Sequence, residues 1–251
     1  GNTFNATYNT WASNQTTASQ GIYNYNHTEA ANLSIVTAYG KWFYNMSDGV
    51  GGGGSSLAGF TENSSTYGNT AIGNASLDSL TAASGLQNTA LGANAGTAVT
   101  TGDDNVLLGY QAGDSITGGN KNIAIGAGAL QAHVSGNYSV AIGYNALTLS
   151  TEPINVAIGG LAGDEITTGA SNTALGTSAL SSVSTTSGSV AVGDSALTLN
   201  TAAANTAVGT NSLDANTAGV RNTALGWTSL SAIVTASDST AVGYNALLLD
   251  T

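Results

Sequence analysis

The chain has 251 residues, of which 7% are charged, 34 are glycine and none is cysteine, so disulfide frameworks and thiolate zinc sites are excluded. Lys41, Lys121 and Arg221 stand against fourteen acidic residues, a net charge of −11, and nothing could neutralise a row of phosphates; nucleic-acid and anionic-membrane partners are excluded with them. No apolar run approaches the roughly eighteen residues of a membrane span.

Residues 1–49 form an aromatic-rich unit carrying Phe4, Tyr8, Trp11, Tyr23, Tyr25, Tyr39, Trp42, Phe43 and Tyr44. Asn26 as a cap with Glu29 three residues later makes a capping box, and Ala30, Leu33, Val36, Gly40 and Phe43 follow at 3/4 spacing, which predicts a helix over Asn26–Met46. One such helix cannot bury its own apolar stripe, so this unit is expected to associate with copies of itself or to attach the chain to a partner. Residues 50–65, with four consecutive glycines, read as a flexible linker. Asn-X-Ser/Thr triplets begin at Asn5, Asn14, Asn26, Asn32, Asn45, Asn63, Asn74 and Asn137. Composition this rich in Asn, Ser and Thr produces such triplets by accident, and the alternative is a glycosylated surface segment.

From residue 66 to residue 251 the chain is one module repeated. Its glycines are Gly73, Gly92, Gly109, Gly126, Gly143, Gly159, Gly176, Gly193, Gly209, Gly226 and Gly243, in steps of 16 to 19 residues, and a period this short signals a solenoid. With the glycine as position zero, position −1 is Ile, Leu or Val, −2 is Ala except for Leu107, and −3 is Thr, Val or Ile. These are short parallel strands apolar on both faces. The large residues are assigned to the coil interior, and the Ala face is expected to pack against another chain. Position −4 is Asn in Asn69, Asn88, Asn105, Asn122, Asn155, Asn172, Asn205 and Asn222, and Ser in Ser139, Ser189 and Ser239, which reads as a stacked ladder bonding to turn backbone. After the glycine, a second short strand is expected, ending in an aliphatic at +7 (Leu80, Val99, Ile116) or, in sixteen-residue modules, at +6 (Leu149, Leu199, Leu249); the missing residue then falls between two core positions. Thr/Ser/Gly/Asp clusters make the outer turn. Three modules form a super-repeat of 50 residues.

Catalytic, cofactor and metal residues are all read as none. His27 and His133 lie far apart and read as surface residues. Asp114 and Asp164 occupy equivalent corners and are the best pair for a glycosidase or for calcium, but neither a third converging carboxylate nor a calcium-roll nonapeptide accompanies them. The chain is therefore not expected to be an enzyme.

The runs NTAIG, SVAIG and NVAIG, each followed by two variable residues and then, in five of the eleven modules, Ala-Leu, resemble the shaft repeats of bacteriophage and other viral tail fibres and the head repeats of trimeric autotransporter adhesins. The resemblance covers about residues 66–251. It implies an all-β parallel β-roll and a homotrimer of side-by-side or intertwined chains. The expected function is a structural and adhesive fibre on the virion surface. Its N-terminal unit would hold a virion or cell-surface attachment protein, and a tip beyond Thr251, where the repeats stop in mid-module, would carry recognition of a host receptor or glycan. The alternatives are an extracellular adhesin or filament subunit on a prokaryotic cell surface, and an ice- or glycan-binding solenoid.

Overall fold

The computed structural model describes the backbone of residues 34–37, 40–46 and 49–52, and residues 68–80, 84–182 and 185–248 in full. The first three stretches are strands: β1 (Ser34–Thr37) pairs antiparallel with β2 (Gly40–Met46), and β2 with β3 (Gly49–Gly52). This corrects the helix predicted over Asn26–Met46 wherever that segment is described; its other residues lie outside the described ones. SIVT and GKWFYNM are dense in β-branched and aromatic residues, Gly40 disfavours a helix, and an open sheet edge offers a partner. β3 pairs in parallel with β4 (Asn69–Ile72), so residues 49–52, at the start of the expected linker, extend the sheet; residues 53–65 lie outside the described ones.

Eleven parallel strands, from β4 to β14 (Thr240–Val242), stack in sequence order with glycine-defined registers matched from coil to coil. Ala174, for example, lies between Ala157 and Ala191. The repeat region is thus a β-solenoid with one strand per coil, rising about 4.8 Å each time. The remainder of each described coil is turns, which corrects the expected second strand: Ala95 N–H donates to Gly92 O and Val99 N–H to Gly96 O, two consecutive four-residue turns. The first has positive φ at its third residue, where Asn94, Asn145, Asn211 and Asn245 supply the side chain best suited to it.

Burial reverses the expected assignment of faces. Ala71, Ala90, Ala124, Ala141, Ala157, Ala174, Ala191, Ala207, Ala224 and Ala241 point into the coil, while the residues at −3 and −1 point outward. The physical reason is width. A coil closed by two tight turns leaves little space behind its strand, and that space is already occupied by buried Ala or Ser at +3, by Leu at +4 in eight of the eleven coils, and by a buried residue at +7 such as Leu80, Val99, Ile116, Ile166 or Ile233. Only a methyl group fits opposite them. Leu107 is admitted because the facing positions in its own and the preceding coil are glycines: a Cβ on Gly96 would stand 2.6 Å from Leu107 Cδ1, and one on Gly113 would stand 2.7 Å from Leu107 Cδ2.

The repeat glycine is required twice over. At Gly176 φ is +139°, and an added Cβ would meet the carbonyl oxygen of Gly193 in the next coil at 2.4 Å. Sixteen-residue coils also differ from expectation. Leu149 and Leu199 are exposed, and the core column continues at +7 through buried Ser150 and Asn200. Ser150 N–H donates to Leu147 O as Val99 does to Gly96, and Thr151 N–H reaches Thr167 O as Thr100 N–H reaches Thr117 O. The residue missing from these coils therefore comes from the outer turn after the last core position, where loss of one residue moves no core side chain.

Candidate functional site: the outer face of the sheet

The −3 and −1 columns put Thr, Val, Ile and Leu side by side on the outside of the solenoid, with no charged residue in either column. Ile72 is 43% exposed, Leu91 48%, Leu175 43% and Leu225 47%. Eleven rungs at about 4.8 Å make a stripe about 48 Å long from first rung to last. Contiguous exposed apolar area on this scale marks an interaction surface. Past the bend at each glycine, the +1 column adds exposed Tyr110, Tyr144, Trp227 and Tyr244. Apart from Asp194 in the +1 column, charges stand elsewhere on the coil: Arg221 pairs with Asp238, and Lys121 lies over the Tyr138 ring.

The −4 column braces this face from within. Asn88 Nδ2 donates to Gly102 O at 2.8 Å in the outer turn that closes its own coil, while its Oδ1 accepts the N–H of Asn105 in the next coil at 3.0 Å. Asn105, Asn122, Asn155, Asn172, Asn205 and Asn222 repeat the amide donation to the outer turn of their own coil, at Gly119, Gly136, Gly169, Thr186, Gly219 and Ala236. Each buried amide thus satisfies backbone groups of the outer turn that the sheet ladder does not reach. Where Ser139 and Ser189 hold the position, each opens a sixteen-residue coil, and its Oγ accepts the next Asn N–H at 3.4 Å. Buried Asn200, Asn205 and Asn216 form a further satisfied cluster, with Asn200 Oδ1 accepting from both of the others.

His133, read as a surface residue from sequence, is fully buried at +7. Its Nδ1 lies 2.8 Å from Ser150 O; a carbonyl only accepts, so Nδ1 carries the hydrogen and Nε2 is the bare nitrogen, without a hydrogen-bond partner. Burial pushes its pKa below the usual histidine value, partly offset by the Ser150 and Gly136 backbone and by Glu152. His27 lies outside the described residues. Asp114, Asp164 and Asp214 share the +5 position at 50-residue intervals, and burial raises the pKa of each. Asp114 and Asp164 are three coils, about 14 Å, apart. Glycosidase carboxyl pairs lie within about 10 Å, so the two do not form one such site. No group of three metal-ligating side chains occurs among the described residues.

Of the Asn-X-Ser/Thr positions, Asn74 is exposed, whereas Asn137 is half-buried and accepts from Asn120 through Oδ1. Asn45 lies in β2, and Asn5, Asn14, Asn26, Asn32 and Asn63 lie outside the described residues. No family model matches the chain, and no curated protein or solved structure matches it either.

Proposed function

We propose that the protein is a structural fibre: the shaft of a viral tail fibre or receptor-binding fibre, assembled from three parallel copies. The observation that carries this reading is the uncharged apolar stripe of the −3 and −1 columns, which runs the length of the solenoid at one-coil spacing. A surface that presents a side chain about every 4.8 Å for eleven rungs is matched along its whole length by a surface with the same repeat, and a second copy of the chain supplies one. The number three follows from the resemblance of the repeats to tail-fibre shafts. In this assembly the Ala column fills each coil, and the Leu, Ile, Val and Thr columns fill the space between chains. The N-terminal unit attaches the fibre to a virion. The alternative reading, an adhesin or filament subunit on a prokaryotic cell, uses the same assembly on a different carrier.

Sedimentation equilibrium of the full chain tests the assembly, with the pair I158D/L175D as the perturbed variant. A trimer for the parent and a smaller, still β-structured species for the variant support the reading. A folded monomer for the parent at micromolar concentration would sink it. Immunogold labelling of intact virions against cell envelopes then separates the two carriers.

A further inference from the structure

Trp227 and Tyr244 occupy the +1 position of adjacent coils, with ring centroids 5.0 Å apart and planes at 30°. They are 51% and 66% exposed. Two aromatic rings left this far in water carry an unsatisfied apolar area that most folds bury. Their placement is fixed by the solenoid: each follows a repeat glycine, Gly226 or Gly243, so the coil spacing sets the rings side by side, and Asn245 N–H donates to Trp227 O at 3.1 Å. Beside them the +2 column supplies Asn211, Thr228 and Asn245, all half-buried; the single Thr228 hydroxyl hydrogen is within reach of two acceptors, the Trp227 carbonyl and Asn245 Oδ1. The one charge in the +1 column, Asp194, stands two coils, about 10 Å, from Trp227.

We infer that Trp227 and Tyr244, flanked by Asn211, Thr228 and Asn245, form a binding platform for a neutral saccharide on the side of the solenoid. A pyranose ring has an apolar face of C–H groups that stacks on aromatic rings and an equatorial rim of hydroxyls that needs amide and hydroxyl partners, and the two columns provide one of each. The chemistry argues against other ligands. A polyanion is repelled by a chain of net charge −11. The platform lies past the glycine bend from the −3 and −1 columns, and the inference does not require that the chain assemble. It does place saccharide recognition on the shaft rather than at a tip.

The test is direct binding of the full chain to an immobilised panel of neutral oligosaccharides (chitohexaose, cellohexaose, maltohexaose and mannohexaose), with W227A, W227F and Y244A as variants and sedimentation run on each. Binding to a panel member that survives high salt, falls at least about tenfold in W227A and is largely kept in W227F supports the platform. Four results would overturn it: no binding to any member at millimolar concentration, binding that W227A leaves intact, binding abolished by salt, or displacement by tetramethylammonium, which would mark a cation site. A fifth is dissociation of the W227A assembly, which would assign the rings to a seam between chains.

Discussion

Leu107 is the one large residue at position −2, and the structure turns that exception into a quantitative experiment. Its side chain is fully buried between Gly96 and Gly113, the +4 residues of the preceding coil and of its own. Leu107→Ala removes three carbons from a place where the facing residues have no side chains to move into the gap, so the cost belongs in the upper part of the Leu→Ala range, about 3–5 kcal/mol. Gly96→Leu alone should also destabilise, by about 1–3 kcal/mol, because a Cβ there already approaches Leu107 Cδ1 to 2.6 Å. The backbone is no obstacle: Leu77, Leu130 and Leu147 hold the same +4 position at φ of 48°, 51° and 50°, against 61° at Gly96. The double variant G96L/L107A gives the coil of Gly92 Ala at −2 and Leu at +4, as in the coils of Leu130 and Leu147, and removes the Leu107 side chain that the new leucine would meet. It should therefore be more stable than L107A, with a coupling energy of about 2 kcal/mol or more that opposes the two single costs. Urea unfolding followed by far-ultraviolet circular dichroism gives the three values. Strictly additive losses would refute the account of how the coil's interior volume is shared.

Ala174→Leu and Ala207→Leu should each cost roughly 1–3 kcal/mol by overpacking the coil interior, whereas the same change at exposed Thr177 should cost little; equal effects at all three would show the faces are assigned wrongly. Gly176→Ala should abolish or severely weaken folding, whereas Gly188→Ala, at φ +70° with nothing within 4 Å of the added Cβ, meets backbone strain without a clash and should be milder in thermal melts. His133 titrates below the ordinary histidine value in the folded state, so the unfolded chain binds the proton first. Stability attributable to it is therefore full above pH about 6.5 and falls as pH drops below that; His133→Ile, which matches the aliphatics of its column, should flatten this part of the pH dependence of unfolding. Asp114, Asp164 and Asp214 have raised folded-state values and act in the opposite sense, regaining stability as pH falls through those values, so the His133 contribution is read as the difference between parent and variant.

The sequence by itself determined the coil. Its period, its NTALG strand, the glycine at each bend and the stacking amides at −4 follow from residue types at fixed spacing, because in-register parallel stacking places the same position of every module in one column. His133 was legible by the same arithmetic, since counting seven from Gly126 puts it in the column of Leu80, Val99 and Ile116. Tertiary structure alone decided which side of the strand is inside. Alternation says that Ala and its neighbours point in opposite directions, but both sets are apolar, and hydrophobicity does not rank them. Closure by two tight turns does, because it leaves room behind the strand for a methyl group and not for Leu or Ile. The same closure fixed where a sixteen-residue coil loses its residue, leaving Leu149 exposed and Ser150 in the core. In β1 and β2 the 3/4 spacing that resembled a helix was overridden by β-branched and aromatic side chains next to a sheet edge, a partner that no local window of sequence contains.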